Sequence, residues 1–294
     1  MIMPYDLPEI EPKSAKTKLF FLRFIVYVAL GLVTFICLFF FVLMIINCTK
    51  TNSQLQGGFS MVPSTHFFEN IKNAINDRAL VNIAVGMKNS FLVAAASSIL
   101  SVYFSALTAY GIHCYQFRLK NFCFKFILVV MMIPAQVSAV GFISLCNKFN
   151  LINTYWPLIV PSIAAPIVFF YMKQYMESVL PLEIVEAARV DGAKEFYTFN
   201  KIILPIMSPA IAVQLIFSFV ASWNNYFLPA MIIDKAELKT LPIMIYTLRS
   251  ADYAKFDMGE IYAYILLSIL PVIVVYIALS KFIIKGATAG SVKG

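Results

Sequence analysis

"FIVYVALGLVTFICLFFFVLMII", residues Phe24 to Ile46, contains no Asp, Glu, Lys or Arg, and five more such runs follow it. They extend from Asn89 to Ile112, Phe126 to Cys146, Tyr155 to Met172, Ile206 to Ile233 and Ile261 to Ser280. A helix needs about 20 apolar residues to cross a bilayer, and every run is of that order. In hydrocarbon the backbone must satisfy its own hydrogen bonds, so each run is expected to be helical. The expectation is an all-α, polytopic membrane protein with six transmembrane helices. Composition agrees. Of 294 residues, 61% are hydrophobic and 13% charged, against about 25% charged in a soluble domain. The first run is too long for a signal-peptide core and no small-x-small cleavage site follows, so it reads as a retained span.

Basic residues orient the spans. With the N-terminus inside, fourteen of the 23 Lys and Arg fall on the inner face. The short loops carry the bias, with Arg118, Lys120 and Lys125 in one and Lys148 alone in the next. Six spans then place both termini and the segment from Glu186 to Phe196 in the cytoplasm. The formal charge of +8 is met by anionic membrane lipid and points to no nucleic acid. Five cysteines lie in or beside spans without a CxxC pair and read as apolar fillers.

One transmembrane domain, 21–285, is expected between a cytoplasmic leader, 1–20, with Pro4, Pro8 and Pro12, and a small-residue cytoplasmic tail, 286–294. Phe67, Ile71, Ala74 and Ile75 recur at helical spacing and predict a short helix on the outer surface. Asp234 to Glu260, rich in charge, reads as an outer connection able to receive an extracellular partner.

Charge returns to an otherwise apolar chain within 178–206. Pro181 suits a first helical position. "LEIVEAARV" sets Ile184, Ala187 and Ala188 on one face and brings Glu183 and Glu186 near Arg189 and Asp191. Gly192 breaks the helix, "AKEFYTFNKII" begins a second, and Pro205 leads into the fifth span. This is a helix–turn–helix at the membrane face. Its small residues allow another surface to approach, and its carboxylates could pair with a basic partner; an amphipathic interfacial loop fits equally well.

Several spans carry polar or helix-disturbing residues: Pro134 and Gln136, Pro161 and Pro166, Asn224 and Asn225. Prolines free carbonyls, and either shape the bundle or line a cavity. Ser218, Ser222 and Asn225 follow i, i+4, i+7. Together with Gln136, Trp223 and Asn224 they offer the neutral hydrogen-bonding groups and aromatic face that suit a saccharide path. They would serve equally to hold helices together, at about 0.6 kcal/mol for each such bond.

Other chemistry finds little support. His66 and His113 fall on opposite sides, no HExxH occurs, and no acid pair lies within the spans, which disfavours a membrane hydrolase or a proton relay. The terminal "GATAGSVKG" lacks the spacing of a phosphate loop and has no helix after it. No catalytic residue, metal site or cofactor is expected on this chain.

The spacing Glu186-Ala187-Ala188, three residues, Gly192, nine residues, Ile202, one residue, Leu204-Pro205 resembles the EAA coupling loop of ABC importer permeases. "NSFLVAAASSILSVYFSALTAYGI", "MMIPAQV", "NLINTYWPLIVP", "FSFVASWNNYFLP", "LKTLPI" and "KGATAGSVKG" are similar, in order, to the carbohydrate branch with its maltose-permease-like subunits. The second Asn of Trp223-Asn224-Asn225 stands where that family more often has an acid. The resemblance implies a type I importer permease in a bacterial cytoplasmic membrane, bringing in a sugar, expected to be an oligosaccharide, by alternating access. A related polar solute such as a glycerol phosphodiester or an amino sugar is the nearest other cargo. It implies a second homologous permease, a cytoplasmic ABC ATPase dimer that binds ATP and Mg, and an extracellular or periplasmic solute-binding protein. Glu186, Ala187, Ala188, Asp191, Gly192, Ile202, Leu204 and Pro205 would then couple the chain to the ATPase.

Overall fold

The computed structural model describes residues 13–76, 82–250 and 257–291, and every regular element among them is a helix. Helix α1, Lys13–Cys48, is followed by the one-turn α2, Asn52–Gln56, and by α3, Phe67–Asn76. Residues 1–12 of the expected leader lie outside the described residues, and 13–20 are already helical. Helix α3 confirms the Phe67–Ile75 spacing, but it packs inward. Asn70 and Ala74 are buried, and Phe67 and Ile71 rest on a core built with α4 and α15.

Helix α4, Ile83–Cys114, is the mast of the molecule. Ser90, Ala94, Ser97, Ser101, Ser105 and Ala109 form a buried small-residue stripe along it. Without a hydrophobic force between helices in lipid, such residues let backbones approach and gain dispersion contact. Against α4 pack α8, Pro166–Val179, and α12, Ser208–Trp223.

Three of the six runs are broken, contrary to the expectation of one helix each. The third divides into α5, Lys120–Met131, and α6, Ala135–Lys148, which meet at 98°. Pro134 has no N–H for the Val130 carbonyl, and it disfavours helical backbone at Ile133. The fourth comprises α7, Trp156–Ile159, a 3₁₀ turn over Val160–Ile163, and α8. Pro157, Pro161 and Pro166 each open one of these pieces, the position where a missing N–H does no harm. Ser97 and Ser105 of α4 donate to the Leu158 and Ala165 carbonyls along the broken stretch, at 3.2 and 3.4 Å.

Helix α9, Leu182–Val190, leads to the short α10, Glu195–Thr198, a π-helical turn over Phe199–Ile203, and α11, Leu204–Ile206. Residues Glu195–Ile206 meet α12 at 82° around the fully buried Met207. The fifth run does not continue to Ile233 as one helix. It stops at Trp223, and α13, Phe227–Ile232, follows a non-helical Asn224–Tyr226. Asn side chains compete for backbone groups there, and Pro229 has no N–H for the Asn225 carbonyl.

Asp234 to Glu260 is no simple outer loop. It contains α14, Leu241–Ser250, whose Leu241, Ile243, Met244 and Leu248 are buried against the bundle; residues 251–256 lie outside the described residues. Helix α15, Met258–Ser291, crosses beside α12 and α1 and continues as helix to Ser291, through most of the expected tail. Among the described residues, four helical stretches are long and apolar enough to span a membrane, or up to six if each bent pair counts as one span.

Candidate functional site

Helix α9 begins after Pro181, which stands just outside it in extended conformation, with Glu183 in the first turn. An acid there faces the positive end of the helix dipole. Val185 and Ala188 are buried and Ile184 partly so, whereas Ala187 is exposed. Ala187 therefore does not share the packed face with Ala188, as the sequence reading had it. It belongs to an outer stripe of Glu183, Glu186, Ala187 and Val190, at i, i+3, i+4, i+7, with Val190 87% exposed. Among the described residues Glu183, Glu186 and Asp191 make no ion pair.

Gly192 ends the helix at φ +76°. Its N–H reaches the Arg189 carbonyl at 3.0 Å, and the Ala193 N–H reaches the Ala188 carbonyl at 2.9 Å. These two bonds are a Schellman turn, which satisfies last-turn carbonyls and needs a left-handed residue. A Cβ at Gly192 would meet nothing within 4 Å, so backbone conformation, not space within this chain, selects glycine.

The turn is latched to α4. Arg189 Nε donates to Glu195 Oε1 at 2.6 Å, and the Tyr110 hydroxyl donates to Glu195 Oε2 at 2.8 Å. The Arg189 guanidinium lies 5.1 Å from the centre of the Tyr115 ring. Arg189 first, then Tyr115, hold the Glu195 carboxyl down to about 2, so it is ionised at any physiological pH. Beneath it, buried Phe199 sits between the Tyr103 and Tyr110 rings, with centroids at 5.7 and 5.5 Å. Pro205 cannot donate to the Lys201 carbonyl. The ladder slips, and the Leu204 N–H reaches back five residues to Phe199, which is the π turn. Ile202 and Leu204 pack partly buried against the same core, while Pro205 is exposed. The sequence reading missed Glu195, Tyr110, Tyr115 and Phe199. Its one available signal was the spacing of Arg189 and Glu195 across a glycine turn.

The candidate path residues are less unified than expected. Ser218 and Ser222 lie on α12, but Asn225 is beyond its end, so the three do not share a helix face. Trp223 is buried, donates its indole N–H to the Ser268 carbonyl at 3.2 Å and stacks on Phe219. Its role in the fold is packing between α12 and α15. Asn224 is exposed at a cavity of about 260 Å³, which Tyr226 and Tyr246 also line, with ring centroids 4.6 Å apart. Ser218 lines a different groove, with Gln214, between α8 and α12. Gln136 is exposed at the start of α6 and lines neither.

Residues 101–287 match the family profile described as binding-protein-dependent transport system inner membrane component. The arabinooligosaccharides transport system permease protein AraQ of Halalkalibacterium halodurans is 31% identical over 276 residues, covering 93% of this chain and 97% of that protein. The lactose transport system permease protein LacG of Rhizobium radiobacter is 29% identical over 267 residues, covering 91% and 95%. A solved structure described as a bacterial ABC transporter involved in the import of the acidic polysaccharide alginate has a chain of the same fold. It superposes with a TM-score of 0.76 at 19% identity, over 95% of this chain and 99% of that one.

Proposed function

The chain belongs to the family of binding-protein-dependent transport system inner membrane components, among the permeases of sugar ABC transporters, and from that premise we propose that it imports an oligosaccharide by ATP-driven alternating access. It is a multi-pass membrane protein. In the proposed assembly it pairs with a second, homologous permease, and the two enclose the path. ATP and Mg are bound and hydrolysed on a separate cytoplasmic ATPase dimer, and a solute-binding protein delivers the sugar from the other side.

One observation supports this reading above the others: an exposed acidic helix, α9, closed by a strict glycine turn and fixed to the mast α4 through Glu195. The outer stripe of α9 offers Glu186, Ala187 and Val190 to a partner, and Asp191 and Gly192 form its tip. A force applied to α9 passes through Arg189 and Glu195 into α4. Two ATPase arrangements that grip α9 differently would therefore bias two arrangements of the bundle, which is what alternating access requires. Ile202, Leu204 and Pro205 carry the same displacement into α12 across the 82° bend.

The test uses the complex isolated from its native host through an affinity tag on this chain. We expect an ATPase subunit to co-purify, its hydrolysis to rise with saccharide-loaded binding protein, and Gly192→Trp to keep assembly while abolishing uptake. A working transporter isolated without any nucleotide-hydrolysing subunit would overturn the reading.

A further inference from the structure

The turn from α4 into α5 is basic and has no acid to answer it. Arg118, Lys120 and Lys125 lie within one short stretch, and no Asp or Glu occurs anywhere from Ile83 to Met176. Among the described residues none of the three makes an ion pair, while Glu177 is taken by Lys173 and Glu195 by Arg189. Lys120 is spent on the chain itself, donating to the His113 carbonyl at 3.3 Å. Arg118 and Lys125 are exposed, and among the described residues neither has such a bond.

Helix α5 shows which way this charge faces. Phe124 packs on α8, with the Phe169 ring centre 6.3 Å away and the Lys173 ammonium 4.4 Å from its own ring centre. Phe122 and Phe126 fall on the opposite side, 64% and 57% exposed and stacked on each other at 6.2 Å. Exposed apolar surface of this kind on a membrane helix belongs in lipid. Lys125 stands between the two rings in the second turn of α5. From that depth a lysine lays its stem along apolar surface and returns its ammonium to the headgroup layer.

Deeper in, a groove of about 300 Å³ opens between α4, α5 and α8, where Phe126, Val130 and Phe169 form the walls. Its hydroxyls are already used. Thr108 donates to the Phe104 carbonyl at 2.8 Å, and Ser105 to the Ala165 carbonyl at 3.4 Å. What is left calls for hydrocarbon in the groove and negative charge at its mouth.

Charge selects among the occupants. A second permease obeys the same positive-inside rule, so its inner turns bring further cations and repel these. A water-soluble subunit stays outside the hydrocarbon into which α5 runs. An anionic phospholipid has both parts, a phosphate for the cations and an acyl chain for the groove. We infer that Arg118 and Lys125 hold the headgroup of an anionic phospholipid of the inner leaflet, one chain of which lies in the α4–α5–α8 groove. This rests on the orientation that goes with the import reading.

The experiment places a photoreactive benzoylphenylalanine at Phe122 of the intact complex, in phosphatidylcholine vesicles containing a minor share of radiolabelled phosphatidylglycerol. Illumination should attach phosphatidylglycerol to this chain well above its share of the bilayer. Arg118→Gln and Lys125→Gln should each raise the half-saturating phosphatidylglycerol fraction about fivefold, and the double variant about thirtyfold. Lys125→Arg should leave it unchanged, as should Lys148→Gln in the next connection. Attachment in proportion to bulk composition, or a double variant equal to wild type, overturns the inference and leaves the import reading intact. Attachment to the second permease or to the ATPase instead of lipid overturns it in the same way. Reaction of Arg118→Cys with a membrane-impermeant thiol reagent in intact cells, beyond that of the wild-type chain, overturns the orientation on which both stand.

Discussion

Tyr110 donates a 2.8 Å hydrogen bond to Glu195, tying the last turns of the central helix to the first residue beyond the acidic turn. The other carboxylate oxygen takes Arg189. One acid thus holds both helices that flank Gly192.

The Arg189–Glu195 pair is half open to solvent, with side chains 37% and 43% exposed. Its contribution to global stability should be small, about 0.2–1 kcal/mol by double-mutant cycle. Its local effect should be larger. Glu195→Ala should speed hydrogen–deuterium exchange of the amides from Ala188 to Ala193 several-fold, while Lys201→Ala on the exposed side changes nothing there. Equal exchange in the two variants would show that the latch does not order the turn.

Gly192 separates a demand of the fold from a demand of a partner. At φ +76° any residue with a Cβ is strained by about 1–2 kcal/mol, but no atom of this chain stands within 4 Å of that Cβ. Gly192→Ala and Gly192→Trp should therefore lower the thermal unfolding midpoint of the purified chain similarly, and Gly192→Asn should lower it less. Uptake should distinguish them, with Trp far worse than Ala. If both lose uptake in proportion to stability, the glycine serves the turn alone.

Helices α1, α3 and α15 meet where no space remains. A Cβ on Gly259 would lie less than 2.5 Å from the Lys50 carbonyl oxygen and 2.5 Å from Asn70 Nδ2. Asn70 itself donates to the Cys48 and Lys50 carbonyls at 2.8 and 2.9 Å. Backbone cannot yield as a flexible side chain can, so Gly259→Ala should destabilise by about 1–3 kcal/mol or more. Asn70→Ala, leaving two acceptors without their donor, should cost about as much. Gly31→Ala, in open surroundings on α1, should be neutral or slightly stabilising. Unfolding midpoints in detergent rank the three.

That the chain is helical with several membrane-length apolar stretches was legible from the runs free of charge, because the membrane rule acts on each residue separately. Their interruptions were half legible. Pro134, Pro161 and Pro166 announced the breaks, yet the 98° turn at Pro134 depends on where α6 finds packing, which no local pattern encodes. In α9, residues three and four apart qualified equally for the packed face. The contact of Val185 and Ala188 with the core decided against Ala187. Trp223 read as a sugar-facing ring because its type suits that task, whereas its burial arises from Ser268, 45 residues later.

The mast also measures the membrane. Asn89, near the start of α4, donates to the Glu237 and Lys239 carbonyls at 2.9 and 3.0 Å, while Tyr110, near its end, holds Glu195. Twenty-one residues of helix separate the two anchors, about 32 Å at 1.5 Å per residue, and the hydrocarbon core is about 30 Å thick. The Glu237 turn and the α9 tip are therefore expected to emerge on opposite faces. With the N-terminus inside, a membrane-impermeant thiol reagent should label Glu237→Cys in intact cells and Glu186→Cys only after permeabilisation. Both positions are exposed, so each should react fully once reached. Labelling of both from the same side would mean that α4 does not cross the bilayer, and the arrangement of spans built around it would fail with it.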